Sequence, residues 1–136
     1  MSNAETSGFH HVTLNVHDLE TSERWYGDVL GLVRLTTFNT DDFQRVIMRH
    51  AESGMVLALN RHKHPDASDP FSERRTGLDH LAMGVTDRNA LEAWISHFDS
   101  LGVTHSEIKS GGVPGSFLVA FRDPDNIQLE MFATGD

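Results

Sequence analysis

The sequence predicts an α+β fold built from two βαβββ modules, on three observations. Residues His11 to Trp25 recur as His80 to Trp94 at a constant offset of 69, with His11/His80, Val16/Val85, Asp18/Asp87, Glu23/Glu92 and Trp25/Trp94 identical. Five identities in fifteen exceed the roughly one that average composition gives, so a repeat organises the chain. Each copy passes from a period of two to a helical period behind an Asp. Three strand-length apolar runs with turn residues between them then follow each helix.

The elements follow in order. Val12, Leu14 and Val16 alternate with His11, Thr13 and Asn15 as a strand. Asp18 stands at an N-cap, Trp25, Tyr26, Val29 and Leu30 form the helix face, and Gly31 supplies the left-handed stop. Strands are expected over 33–38, 43–50 and 55–60, with Ser53-Gly54 as a turn. In the second copy Leu81, Met83 and Val85 alternate with His80, Ala82 and Gly84. A helix after Asp87 presents Leu91, Trp94, Ile95, Phe98 and Leu101 and stops at Gly102. Strands are expected over 104–108, 116–122 and 126–133, the last two joined by Asp123-Pro-Asp-Asn126, in which Asn accepts a left-handed conformation. The modules are 9–60 and 78–133, joined by a polar linker over 61–77. Each is too small to be comfortable alone, so they are expected to share a core as one domain.

Composition narrows the function classes. The chain has 136 residues, 11 Lys plus Arg against 20 Asp plus Glu, and a net charge of -9. An acidic chain without a basic block is a poor partner for nucleic acid or an anionic membrane, and no apolar run has bilayer-spanning length. Residues 1–8 lack the basic and apolar regions of a secretory signal, so a cytoplasmic protein is expected. With no cysteine, disulfides, thiolate nucleophiles and Cys-based zinc sites are excluded. Nine histidines are the surplus, and histidine is a common metal ligand and proton carrier.

Strand alternation selects among them. If the apolar sets pack on the helices, His11 and His80 point to the opposite face, with Thr13, Asn15, Ala82 and Gly84 beside them. In the last strand Ile127, Leu129 and Met131 take the core face, and Gln128, Glu130 and Phe132 the other. Two histidines and one glutamate form a ligand group suited to Fe(II), Mn(II), Zn, Co or Ni with positions left open. His10 is expected to point away from His11. His62 and His64 fall in the linker, and His50 stands near a strand end, where it can line a cavity mouth. Arg49 and Arg122 are expected to pair with local carboxylates. Ser110-Gly-Gly-Val-Pro-Gly-Ser116 is either a lid or a plain connector.

These modules, the strand-opening histidines, the run from Leu19 to Leu32 and the run from Arg122 to Glu130 resemble the vicinal oxygen chelate superfamily. That group includes glyoxalases, ring-cleaving extradiol dioxygenases, fosfomycin-resistance thiol transferases, methylmalonyl-CoA epimerases and bleomycin-binding proteins. The resemblance covers residues 9–133. It implies a cupped mixed sheet around a divalent metal held by His11, His80 and Glu130. It also implies a small-molecule substrate contacted from Thr13, Asn15, His50, Ala58, Gln128 and Phe132, and a homodimer in which modules can pair across chains. The counterpart of Glu130 in the first module is Ala58, or Leu57 without a gap, so the second carboxylate of glyoxalases is missing. No His or Tyr follows Ser110, as ring-cleaving enzymes would have, whereas Thr13, Lys109 and Ser116 match fosfomycin-transferase positions. The reading that results is a metal-dependent, dioxygenase-like enzyme, with a thiol transferase or lyase, or a non-catalytic binding protein, as alternatives.

Overall fold

Each repeat folds as a four-stranded mixed sheet with one helix on it. The computed structural model describes residues 3–66 and 70–134. The chain divides into two units, residues 1–68 and 69–136. In the first unit, β1 (Val12–Asn15), α1 (Leu19–Leu30), β2 (Leu32–Asn39), β3 (Phe43–His50) and β4 (Val56–His62) give the sheet order β1-β4-β3-β2. In the second, β5 (Leu81–Val85), α2 (Arg88–Leu101), β6 (Lys109–Ser110), β7 (Phe117–Arg122) and β8 (Gln128–Ala133) give β5-β8-β7-β6. In both, the first strand runs parallel to the last and the other pairs are antiparallel.

The repeated Asp and Gly residues act as the pattern requires. The Asp18 and Asp87 carboxylates accept from the Thr21 and Ala90 amides, both at 2.9 Å. Gly31 and Gly102 end the helices at φ 72 and 69. Leu14, Val16, Tyr26, Val29, Leu30, Val46, Met48, Leu57 and Leu59 are buried in the first unit. Met83, Leu91, Phe98, Val119, Phe121, Leu129 and Met131 are buried in the second, where the Phe98 and Phe121 rings stack at 4.5 Å. Each such side chain contributes about 1.5–3 kcal/mol by leaving water. Among the described residues, no helix is long and apolar enough to cross a membrane.

Three expectations are corrected. The strand over 104–108 does not form: His105 makes one bridge to Phe121, and the edge strand is the two-residue β6. Side chains displace the ladder. The Ala120 amide donates to the Ser106 hydroxyl at 2.9 Å, and His105 Nδ1 donates to the Ser106 carbonyl at 2.7 Å. The linker is shorter than expected, because β4 runs to His62, and Glu73 pairs with Arg122 of its own unit. Linker residues 67–69 lie outside the described residues. His10 does not point away from His11: their Nδ1 atoms are 2.8 Å apart. Both precede β1, so strand alternation does not govern them.

His105 also bonds Asp99 through Nε2 at 2.7 Å. Two acceptors at its two nitrogens favour the imidazolium, first the Ser106 carbonyl and then Asp99, and its pKa is raised. A raised folded-state pKa gives stability that is full below about 6.5 and lost as pH rises through the folded value. Urea midpoints of the wild type and Asp99→Asn should therefore differ at pH 5.5 and converge at alkaline pH. An equal difference at both would contradict the charged pairing.

Candidate functional site

The parallel pairing of β5 with β8 sets Glu130 beside Ala82, and antiparallel β7 sets Ala120 on its other side. Leu129 and Met131 face α2, so Glu130 projects from the opposite face. Its register neighbours carry only methyl groups, and its own side chain is only 9% exposed. A buried carboxylate is costly unless it is paired, hydrogen-bonded or bound to a metal. His80 sits immediately before β5, with Nε2 3.5 Å from a Glu130 oxygen. Its Nδ1 lies 2.6 Å from Asp79 Oδ1. The Asp79 hydrogen bond is the main cause of a raised His80 pKa; burial opposes it, and the charges of Glu130 and Asp79 reinforce it. With Nδ1–H committed to Asp79, the neutral ring keeps its lone pair on Nε2, towards Glu130. This carboxylate–histidine arrangement orients metal ligands.

Arg122 lies next to this pair on the same sheet face. It donates to both Glu73 oxygens at 3.0 and 2.9 Å, to the Asn126 carbonyl at 3.0 Å and to Gln128 Oε1 at 3.1 Å. The guanidinium pulls the Glu73 carboxyl down to about 2. The expected carboxylate partner of Arg122 is thus Glu73, whereas Arg49 makes no ion pair among the described residues. Gln128 accepts from Arg122 and keeps its amide N–H groups for another acceptor. Phe132 stands between Gly84 and Leu118, and the 111–116 loop folds onto it. The Gly111 amide donates to the Ser116 carbonyl at 2.9 Å, and the buried Ser116 hydroxyl donates to Val113. A Cβ at Gly111 would strike Ser116 Oγ and lie 2.9 Å from the Phe132 ring. That glycine is what lets the loop close down.

In the first unit the same face carries Thr13 beside Ala58 and Asn15 beside Asn60, with exposed His11 just before β1. Val12 pairs with Leu57 as Leu81 pairs with Leu129, so Ala58 is the counterpart of Glu130 and the gap falls in the β3–β4 turn. His50 is corrected. It shares the face of Val46 and Met48, opposite to Ala58, and its ring serves the turn, accepting the Ser53 amide at 3.2 Å.

Among the described residues, no three His, Asp or Glu side chains are gathered as a metal-binding group. The pair that is gathered fits a divalent ion: donors 3.5 Å apart can both reach one centre at the usual ~2.0–2.2 Å. Sequence reasoning passed over Asp79 and Gly111. Asp79 had a signal, a carboxylate adjoining a ligand-type histidine, while the demand on Gly111 comes from the fold of its own loop onto Ser116 and from the Phe132 ring, neither of which a local pattern reveals.

The model of the Glyoxalase/Bleomycin resistance protein/Dioxygenase superfamily matches residues 8–131. The chain belongs to that superfamily. A glyoxylase/bleomycin resistance protein/dioxygenase domain from Frankia sp. superposes with a TM-score of 0.85 at 31% identity, covering 97% of this chain and 100% of that one. The Metallothiol transferase FosB of Staphylococcus haemolyticus is 27% identical over 124 residues, 91% of this chain and 81% of the relative. The fosfomycin resistance protein FosX of Listeria monocytogenes, solved with Mn(II) and sulfate, superposes with a TM-score of 0.67 at 20% identity, covering 96% and 94%. At that identity the likeness shows the fold alone.

Within this superfamily member, Gly111→Ala should lower unfolding free energy by about 1–3 kcal/mol through overpacking against Ser116 and Phe132, as read from urea denaturation. An unchanged midpoint would mean the loop does not pack there.

Proposed function

We propose that the protein is a divalent-metal-dependent enzyme acting on a small oxygenated substrate, with His80, Glu130 and His11 as the protein ligands. The reading rests on one observation: the oriented His80 Nε2 lies 3.5 Å from a buried carboxylate whose register neighbours are two alanines. The cation would be Fe, Mn, Zn, Ni or Co, since only nitrogen and oxygen donors are on offer. When bound, it supplies Lewis-acid charge and open positions for substrate oxygens. Asp79 holds the His80 ring in one tautomer and orientation. Glu130 supplies the negative charge, Ala82 and Ala120 leave room above it, and Phe132 under the Gly111 loop excludes water from one side. Gln128 offers amide donors, and Thr13 and Asn15 offer polar contacts from the first unit. His11 would come from the first unit of this chain or from that of a second copy in a homodimer.

Ala58 cannot shuttle a proton, which disfavours an isomerase. Transfer of a thiol to a small electrophile fits best. Its sulfur bonds to carbon, the carbon–oxygen bond breaks, and the oxygen keeps the electron pair and takes up the thiol proton. The similarity to FosB supports this choice. Dioxygenation is the second reading, favoured by the 2-His-1-carboxylate set, which suits Fe(II).

Metal-stripped protein titrated calorimetrically with each of the five cations should bind about one ion per chain. Asp79→Asn should weaken that binding by about 10–100-fold, and His80→Ala and Glu130→Gln by more. If no cation binds the wild type, or His80→Ala binds equally well, the proposal fails. Mixing His11→Ala with Glu130→Gln protein should restore tight sites if ligands are shared between copies, and none if each chain supplies all three.

A further inference from the structure

A row of polar side chains crosses the first unit's sheet on the face of Thr13 and Ala58. Asn15 on β1, Asn60 on β4 and Arg45 on β3 are register partners, and Phe38 on β2 continues the row. Asn60 is 1% exposed although Leu57, Ala58 and Leu59 precede it on its strand. Both ends of its amide are used: Oδ1 accepts from Arg45 Nε at 3.0 Å, and Nδ2 donates to Asn15 Oδ1 at 3.2 Å. The Arg45 guanidinium lies over the Phe43 ring at 4.3 Å. Nε is therefore tethered and the plane is set by an aromatic face, which leaves the terminal N–H groups pointing away from both restraints.

Arg24, Arg34 and Arg122 are each bonded to a carboxylate, whereas among the described residues Arg45, like Arg49, makes no ion pair; what sets Arg45 apart is that a buried amide and an aromatic ring hold its guanidinium in place. The repeat provides an internal control. The second unit fills the equivalent row with Gly84, Phe132 and Leu118, all register partners. The module therefore does not need polar groups there to fold. A buried amide that holds a half-buried guanidinium without a carboxylate is preorganised for an external one. Such a planar fork matches the paired oxygens of a carboxylate or phosphonate. In a chain of net charge -9 a ligand anion needs a local cation of this kind.

We propose that Arg45, braced by Asn60 and Phe43, is an anion-recognition site for the carboxylate or phosphonate group of a small organic molecule. The exposed Phe38 ring would lie against the ligand's apolar part. This extends the reading of the substrate as a small oxygenated molecule but stands on the first unit alone. Its test is run in chelator, so its failure and that of the metal reading are separate results.

The experiment is an NMR titration of the full chain in excess EDTA with benzoate, phenylphosphonate and, as a neutral isostere, benzamide, following the arginine Nε–H signals. At least one anion should shift the Arg45 signal saturably while benzamide does not. Arg45→Gln should weaken that anion by at least about tenfold, and Arg45→Lys, which keeps charge but loses the fork, should fall between. Amide spectra of both variants report whether the fold is retained, and Arg45→Lys alone decides if Arg45→Gln unfolds. Three results would each overturn the proposal: neither anion binding with a Kd below about 10 mM, binding unchanged in folded variants, or benzamide binding as well as the anions.

Discussion

The structure depends on the parallel pairing of the first and last strand within each module. A parallel ladder fixes which residues stand side by side, and the period of two fixes their face. In the second module this sets a carboxylate between two alanines, with a histidine at the mouth of the neighbouring strand. A slip of one residue would send Glu130 into the core beneath α2 and Leu129 into the open. The Phe98–Phe121 stack and the burial of Leu129 and Met131 resist that slip. The core thus fixes the chemistry of the opposite face.

Duplication explains how two sheets of one plan carry different chemistry. Caps, turns and core positions are repeated because each module must fold by the same rules. The open faces are not constrained in that way, and they have diverged. Glu130 answers to Ala58, and the apolar Gly84–Phe132–Leu118 row answers to Asn15–Asn60–Arg45. The open face of one module carries the His80–Glu130 pair, and that of the other carries Arg45 held by Asn60.

Much of this was legible in the sequence for a physical reason. Alternation and helical spacing are local, so the modules, both Asp caps, both Gly stops and the face of Glu130 followed from residues a few positions apart. What was missed depends on contacts distant in sequence or on side chains replacing backbone. The edge strand before β7 was overdrawn because the Ser106 hydroxyl and the His105 ring take ladder positions that no periodicity reveals. His50 does stand at the strand end expected of it, but its ring is taken up by Ser53 of the following turn, a contact that strand length does not reveal. His10 was misjudged by applying strand alternation ahead of the strand. The Arg45–Asn60–Asn15 row escaped notice because it spans three strands and becomes visible only in the register.

The central claim is that His80 and Glu130 form the fixed part of a metal centre. The most direct test is an anomalous-difference map from crystals of the wild-type protein grown with Mn(II). The account predicts a peak within about 2.3 Å of both His80 Nε2 and a Glu130 oxygen, with His11 of one copy or the other as a further ligand. A map with no peak there, or with density confined to the exposed histidines of residues 10–11 and 62–64, would contradict it.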